Sequence, residues 1–296
     1  MRTRLSSKYD FTHESGGPPA RRGQRWVQRR GQRGGMVANS SAKVWEQIQG
    51  AARVSGESPP VIGVGSGDLV ANFLHQCSIS EPESMKDLAF QPIGTESIKQ
   101  ELSLLGLGIH DGARAAGIIV VQADQVDDSR DDGEIWFIAG RGFNGPQTSL
   151  VDLQALKDAV ASCSRAIILT SEEAGPRLGG RLPVVIEGDE VEWEEIAEEI
   201  DDLFVTDAEI TRRSHCEDAN TRGMPDPVIF EARDGTPTMI LDLAFYEGLQ
   251  LMGDEASYAA VQRELESTPG VVATGLVGVE QGRAIVVRWR EGDAKM

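Results

Sequence analysis

The sequence predicts an α/β fold in which a mostly parallel sheet is covered by helices on both faces, followed by a small α+β subdomain. Short apolar segments of strand length alternate with segments of helical periodicity along the first two thirds of the chain, a pattern typical of parallel sheets. Strands paired by turns follow, which favours an α+β arrangement there. Hydrophobic residues make up 40% of the 296 residues and aromatic residues only 5%, so a sizeable core is available.

The first part of the chain alternates helix and strand. Apolar spacing predicts a helix over residues 41–54, capped by Ser40 or Ser41. A short buried strand at 61–64 then runs through Gly65-Ser66-Gly67 into a helix with apolar residues at 69, 70, 73 and 74. The same alternation predicts strands at 88–93, 117–121, 135–138, 165–169 and 182–186, with helices at 97–105 and 150–161.

The second part contains an acidic helix and turn-paired strands. Residues 187–209 hold twelve acids and no Lys or Arg, with Trp193, Ile196, Ile200 and Leu203 on one helical face. A solvated face is the favoured interpretation of these acids, because a metal site needs inward-pointing carboxylates from several elements. Residues 217–227 are predicted as a loop. The remaining elements are a hairpin of 228–232 with 238–243, a helix at 255–265, and strands at 271–279 and 283–289.

Composition excludes several classes of protein. No stretch approaches the roughly 20 apolar residues that a membrane helix needs. The three cysteines are widely spaced and the four histidines lie far apart, so neither a disulfide framework nor a zinc knuckle is predicted. We therefore expect no metal and no other cofactor.

Charge is distributed unevenly along the chain. Residues 1–36 carry a net charge of +7 and the remainder −25, for a total of −18. The head is rich in Arg, Ser, Gly and Pro, which is typical of an organellar transit peptide. The alternative is a basic arm that contacts nucleic acid, but a body this acidic would repel phosphate backbones. We therefore interpret residues 1–38 as a targeting leader outside the fold.

Two short motifs could carry chemistry. Gly63-x-Gly65-x-Gly67 follows a strand and opens a helix, where free backbone N–H groups and a positive helix end can hold a phosphate; a merely tight turn is the equal alternative. It is neither the dinucleotide fingerprint nor a Walker loop. Asp124 and Asp127 follow the strand at 117–121, at the end of the sheet where α/β ligands bind. Such a pair can divide acid and base roles, and an ordinary acidic surface loop is the alternative.

The order of these motifs resembles the type A ribose-5-phosphate isomerase family over roughly residues 41–290. The segment VIGVGSG at 61–67 is similar to that family's GVGTGST phosphate loop. DQVDD at 124–128 resembles its DGADE motif, and FIAGRG at 137–142 its IKGGG. The other similar segments are 95–107, 178–185, 234–243 and 268–277.

The resemblance implies a Rossmann-like α/β domain, from residues 39–186 and 266–296, with a ferredoxin-like subdomain at 187–265. It implies interconversion of ribose 5-phosphate and ribulose 5-phosphate in the non-oxidative pentose phosphate pathway, without a metal. It also suggests a homodimer. The catalytic residues carried over are Asp124 and Asp127, and the substrate-binding residues are Gly65, Ser66, Gly67, Thr95, Gly140, Arg141 and Gly142.

This chain departs from the family pattern at the residues that carry catalysis. Ala139 stands where the family has a lysine, and Arg141 replaces a glycine. The catalytic glutamate has no counterpart in residues 146–149, and Asp68-Leu69 replaces Ser-Thr in the phosphate loop. The charge of Asp68 stabilises a helix start but repels a dianionic phosphate.

Three hypotheses follow from these residues. The first is a working isomerase in which Arg141, Arg177 or Arg181 supplies positive charge and Asp152 or Glu173 the base. The second, favoured by the residue replacements, is a relative with weak or absent turnover that binds a sugar phosphate or a partner protein. A nicotinamide-dependent oxidoreductase is opposed by the missing fingerprint. The basic leader and the WEEIAEEIDDLF helix resemble divergent chloroplast-type paralogues, which implies residence in the plastid stroma.

Overall fold

The structure is a computed structural model, and one of its main parts is a five-stranded parallel sheet. It describes residues 41–55, 60–94, 96–112, 115–129, 133–140, 150–171, 177–188, 193–204, 208–213, 229–231, 237–245, 248–249 and 257–289. All pairs in this sheet are parallel. Its spatial order is β13 (Ala284–Arg288), β6 (Arg165–Thr170), β3 (Ile118–Gln122), β1 (Val61–Val64) and β2 (Ala89–Pro92).

Each face of the parallel sheet packs into its own core, as expected for strands that are apolar on both faces. One core joins Ile62, Val120 and Leu169 to the first two helices. The other joins Ile119 and Ile168 to the fifth helix. The helices are α1 (Ser41–Ser55), α2 (Asp68–Ser80), α3 (Pro82–Lys86), α4 (Glu96–Leu104), α5 (Leu150–Ser162), α6 (Trp193–Phe204) and α7 (Tyr258–Ser267).

Two antiparallel sheets complete the structure. The larger has the order β11 (Val271–Thr274), β7 (Gly180–Glu187), β10 (Pro237–Phe245) and β8 (Ala208–Arg212), with β9 (Ile229–Glu231) also paired to β10. Its apolar face packs against α6 and α7. The smaller has the order β12 (Leu276–Glu280), β5 (Glu134–Ile138) and β4 (Gln125–Asp127). Within the described ranges, no helix is long and apolar enough to cross a bilayer.

The α/β class predicted from the sequence is confirmed, with corrections to individual strands. The segment at 182–186, expected to close the first part, instead pairs antiparallel with β10. The segment at 135–138 pairs antiparallel with β12 and β4 rather than joining the parallel sheet. The single strand expected at 271–279 is two strands that break at Gly275, where a Cβ atom would collide with the Ala139 carbonyl. The division of the chain into domains remains a prediction.

Candidate functional site

A cleft of about 730 Å³ lies at the carboxyl edge of the parallel sheet. Open α/β sheets bind their ligands at this edge. The described residues that line the cleft come from the start of α2 and from the ends of three parallel strands: Asp68, Leu69, Ala71, Asn72, Gln122, Ser171 and Trp289.

The glycine turn before α2 is closed by contacts within the protein. The backbone N–H of Gly65 donates to the Val120 carbonyl at 2.9 Å, and that of Leu69 donates to Gln122 Oε1 at 2.9 Å. Gly67 has a φ of 130°, and a Cβ atom there would collide with the Gln122 side chain. The first of these bonds continues the β1–β3 ladder. The second uses a donor, the Leu69 N–H, that a helix start would offer to a phosphate.

Negative charge surrounds the start of α2. Asp68 is the first residue of this helix, and its side chain is exposed. The pKa of Glu101, on α4, is raised first by its partial burial and then by the charge of Asp68. The charge of Asp68 therefore acts on Glu101, and Asp68 itself, which lines the cleft, opposes an anion at this end of it.

Asp127 is a buried residue with several hydrogen-bond partners. It is 2% exposed and lies at the end of β4, although the sequence predicted a loop there. Its Oδ1 accepts from the Ser129 backbone N–H at 3.0 Å and from the Ser129 hydroxyl at 2.7 Å. Its Oδ2 accepts from the Tyr258 hydroxyl at 2.9 Å. Each carboxylate oxygen therefore accepts at least one hydrogen bond within the protein, and these bonds hold the side chain in place; the catalytic role expected of Asp127 stays a prediction.

Tyr258 links this carboxylate to the start of the antiparallel sheet. The fully buried Tyr258 hydroxyl also accepts from the Leu178 backbone N–H at 2.8 Å. A second contact runs in parallel, since Gln125 Oε1 accepts from the Gly179 N–H at 2.8 Å. Asp124 lies in the bend before β4, and its N–H donates to the Ile138 carbonyl at 2.7 Å.

Asp128, next to Asp127, contacts the strand that ends at the cleft. Its two oxygens accept from Arg288 Nη2 at 3.0 and 2.9 Å. Arg288 directly precedes Trp289, which lines the cleft. The acidic motif is therefore tied to both the cleft and the antiparallel sheet through Asp128 and Asp127.

A buried ion pair supports the backbone at Gly140. Arg213 Nη1 donates to the Gly140 carbonyl at 2.8 Å, and Arg213 Nε donates to Asp242 Oδ2 at 2.9 Å. Arg213 is 6% and Asp242 4% exposed. Arg181 Nε lies 4.0 Å from the same carboxylate oxygen. Ala139, where the family pattern has a lysine, is buried and uncharged. Among the described residues, Arg213 contacts the neighbouring Gly140 carbonyl, and its charge is compensated by Asp242.

The predicted site residues are thus only partly brought together. Gly65, Ser66 and Gly67 adjoin the cleft, whereas Gly140 lies with the Arg213–Asp242 pair. The sequence interpretation missed Gln122, Trp289, Tyr258 and Arg213, because each acts through partners distant in sequence. Thr95, Arg141, Gly142, Glu173 and the segment 146–149 lie outside the described residues. Within the described ranges, no cluster of three or more His, Cys, Asp or Glu could hold a metal ion.

The described residues thus form an α/β protein in which a parallel sheet with a polar cleft at its carboxyl edge is accompanied by an antiparallel sheet with its own helices. No protein-family model and no curated protein matches the chain. Solved structures do match it, and those named below are ribose-5-phosphate isomerases.

The fold is that of ribose-5-phosphate isomerase A. Ribose 5-phosphate isomerase from Plasmodium falciparum matches with a TM-score of 0.56 and 19% identity, over 83% of this chain and 92% of that one. A D-ribose-5-phosphate isomerase in complex with phospho-erythronic acid matches with a TM-score of 0.56 and 22% identity, over 83% and 96%. Ribose 5-phosphate isomerase A from Methanocaldococcus jannaschii matches with a TM-score of 0.55 and 17% identity, over 82% and 94%. The resemblance inferred from the motifs is confirmed for the fold.

Proposed function

We propose that this chain is a ribose-5-phosphate isomerase-like protein whose turnover of ribose 5-phosphate is weak or lost. The shared fold supports the first half of this proposal. One of the similar structures was solved with a phospho-sugar acid, which supports a pentose phosphate as the ligand class of the fold.

The start of α2 carries the second half of the proposal. A phosphate at a helix start needs free backbone N–H groups and an uncompensated positive helix end. In this chain Gln122 Oε1 accepts the Leu69 N–H, and Asp68 adds a carboxylate at the first helical position. Both features weaken phosphate binding, and with it the correct positioning of the sugar.

The catalytic requirements point the same way. Moving a proton between two sugar carbons needs a positioned base and positive charge beside the developing enediolate oxygen. Asp127 has both oxygens hydrogen-bonded within the protein, and Arg213 is paired with Asp242. Ala139 is uncharged and cannot stabilise the enediolate oxygen. Losing a base costs about 10²–10⁴-fold in rate, and losing an electrostatic stabiliser costs about 10²–10³-fold.

The test is a coupled assay of ribulose 5-phosphate formation by the purified full chain, beside an ordinary ribose-5-phosphate isomerase A at equal concentration. We expect a kcat/KM at least about 100-fold below that enzyme, the smallest loss expected from one missing catalytic group. A kcat/KM within about threefold of that enzyme would contradict the proposal, because the loss of a base or of an electrostatic stabiliser lowers the rate by far more than threefold.

The cellular setting is a separate proposal. The Arg-rich leader and the acidic helix α6 support plastid residence. We expect residues 1–38 fused to a fluorescent protein to enter isolated chloroplasts and to be shortened there. A fusion that stays outside and uncleaved would exclude this role for the leader.

A further inference from the structure

We propose that the cleft at the start of α2 binds an uncharged polyhydroxylated molecule of about pentose size and discriminates against its phosphate ester. The inference rests on the proposed function in one respect, that the cleft at the sheet edge is where this fold holds its ligand. Its volume of about 730 Å³ lies within the range of small-molecule sites.

Trp289 provides a donor that has no partner among the described residues. Trp289 lines the cleft and is 5% exposed. Its ring packs edge-on against the ring of Phe73, with the two ring centroids 5.8 Å apart. No described residue accepts a hydrogen bond from its indole N–H. A donor without a protein partner is satisfied by water or by a ligand, so the N–H is available to a ligand hydroxyl.

Gln122 provides a second donor with a defined orientation. Because its Oε1 accepts the Leu69 N–H, the amide cannot flip without losing that bond, so the nitrogen of this cleft-lining residue remains a donor. Ser171 and Asn72 line the same cleft and have no hydrogen-bond partner among the described residues. Hydroxyl and amide groups both donate and accept, so this set matches the hydroxyl groups of a polyol.

Charge decides between a sugar and its phosphate ester. Among the described residues of the lining, Asp68 is the one charged side chain. A sugar hydroxyl can donate to this carboxylate, whereas a phosphate dianion can only be repelled by it. At the separations within such a cleft, one like-charge contact near the surface weakens binding by about tenfold or more.

The experiment is calorimetric titration of the full chain with four probes: ribose, ribitol, ribose 5-phosphate and inorganic phosphate. We expect ribose and ribitol to bind at least about tenfold more tightly than ribose 5-phosphate at low ionic strength. We expect inorganic phosphate not to bind. The preference should shrink in about 0.5 M salt, because salt screens the charge of Asp68.

Three variants assign the effect to residues. In Asp68→Asn the affinity for ribose 5-phosphate should become nearly equal to the affinity for ribose. The control Glu198→Gln removes an exposed acid of α6 and should change neither affinity. Trp289→Phe keeps an aromatic ring beside Phe73 but removes the indole donor, so ribose binding should weaken by about 3–10-fold. Circular dichroism of each variant establishes that it is folded.

Each other outcome overturns the inference. Ribose 5-phosphate binding at least as tightly as ribose would do so; it would also remove the phosphate-binding argument for weak turnover, which the isomerase assay then decides on the missing catalytic groups alone. The absence of binding by every probe would refute the cleft as a polyol site. If Asp68→Asn kept the preference for ribose over ribose 5-phosphate, the inference would also be refuted, because the charge of Asp68 would not be its cause. An isomerase assay on the same sample tests the proposed function independently of all these results.

Discussion

The hydroxyl of Tyr258 is the clearest place to test the structural role of Asp127. We expect Tyr258→Phe to destabilise the protein by about 3 kcal/mol. The substitution leaves the ring in place and creates no cavity, so the loss comes from hydrogen bonds alone. The Leu178 N–H would lose its acceptor, which costs about 1–3 kcal/mol. Asp127 would lose a donor to a buried carboxylate, worth about 1.5–3 kcal/mol, although its two bonds from Ser129 would remain.

Urea unfolding followed by circular dichroism measures this loss. With an m-value of about 3 kcal/mol/M, the midpoint should fall by about 1 M at unchanged slope. The control is Ser103→Ala, which removes an exposed hydroxyl that bonds within its own helix and should cost less than about 0.5 kcal/mol. A double-mutant cycle with Asp127→Asn should give a coupling energy of about 1–2 kcal/mol. A loss below about 0.5 kcal/mol, or no coupling, would refute the assignment of Asp127 as a structural residue.

Three further predictions concern other buried groups. Asp242→Ala should cost about 3–5 kcal/mol in urea unfolding, because it leaves the Arg213 guanidinium buried without its carboxylate; a loss below about 1 kcal/mol would contradict this. Native protein should resist iodoacetamide at Cys77 at pH 8, since burial and then the charge of Glu81 raise the pKa of this thiol to about 12; carbamidomethylated Cys77 in peptide mass mapping would be evidence against it. Asp68→Asn should lower the pKa of Glu101 in an NMR titration, because the charge of Asp68 contributes to raising it; an unchanged pKa would separate the two carboxylates.

Local patterns predicted most elements of the fold. The apolar segment at 61–64 and the glycine turn after it formed a strand and the start of α2, as expected, because four consecutive apolar residues suit a strand buried on both faces. Sheet membership was harder to predict. A two-residue period records which face is buried but not which strand lies alongside, so β5 and β7 were assigned to the wrong sheet.

The short elements β4, β8 and α3 were missed for a related reason. β4 has three residues and α3 has five, too few for any period to stand out. β8 alternates along AEITR, and its more buried face, formed by Ala208, Ile210 and Arg212, includes a charged residue. Contacts with neighbouring strands, rather than local preference, fix these segments.

The candidate site was predictable only where a motif marked it. The glycine turn and the acidic segment were found because their residues are adjacent in sequence. Gln122 and Leu69 are 53 positions apart, and Tyr258 and Asp127 are 131 apart. No spacing rule reports such pairs, so the features that distinguish this cleft from a phosphate site appear only in the folded chain.

The strand order has a consequence for synthesis on the ribosome. β6 receives its outer neighbour, β13, only after the other twelve described strands have been translated. Until then the nascent chain carries an apolar open edge, and such edges invite pairing with other chains. We therefore expect this protein to depend on holding chaperones while it emerges, and to aggregate when translation stalls before residue 284.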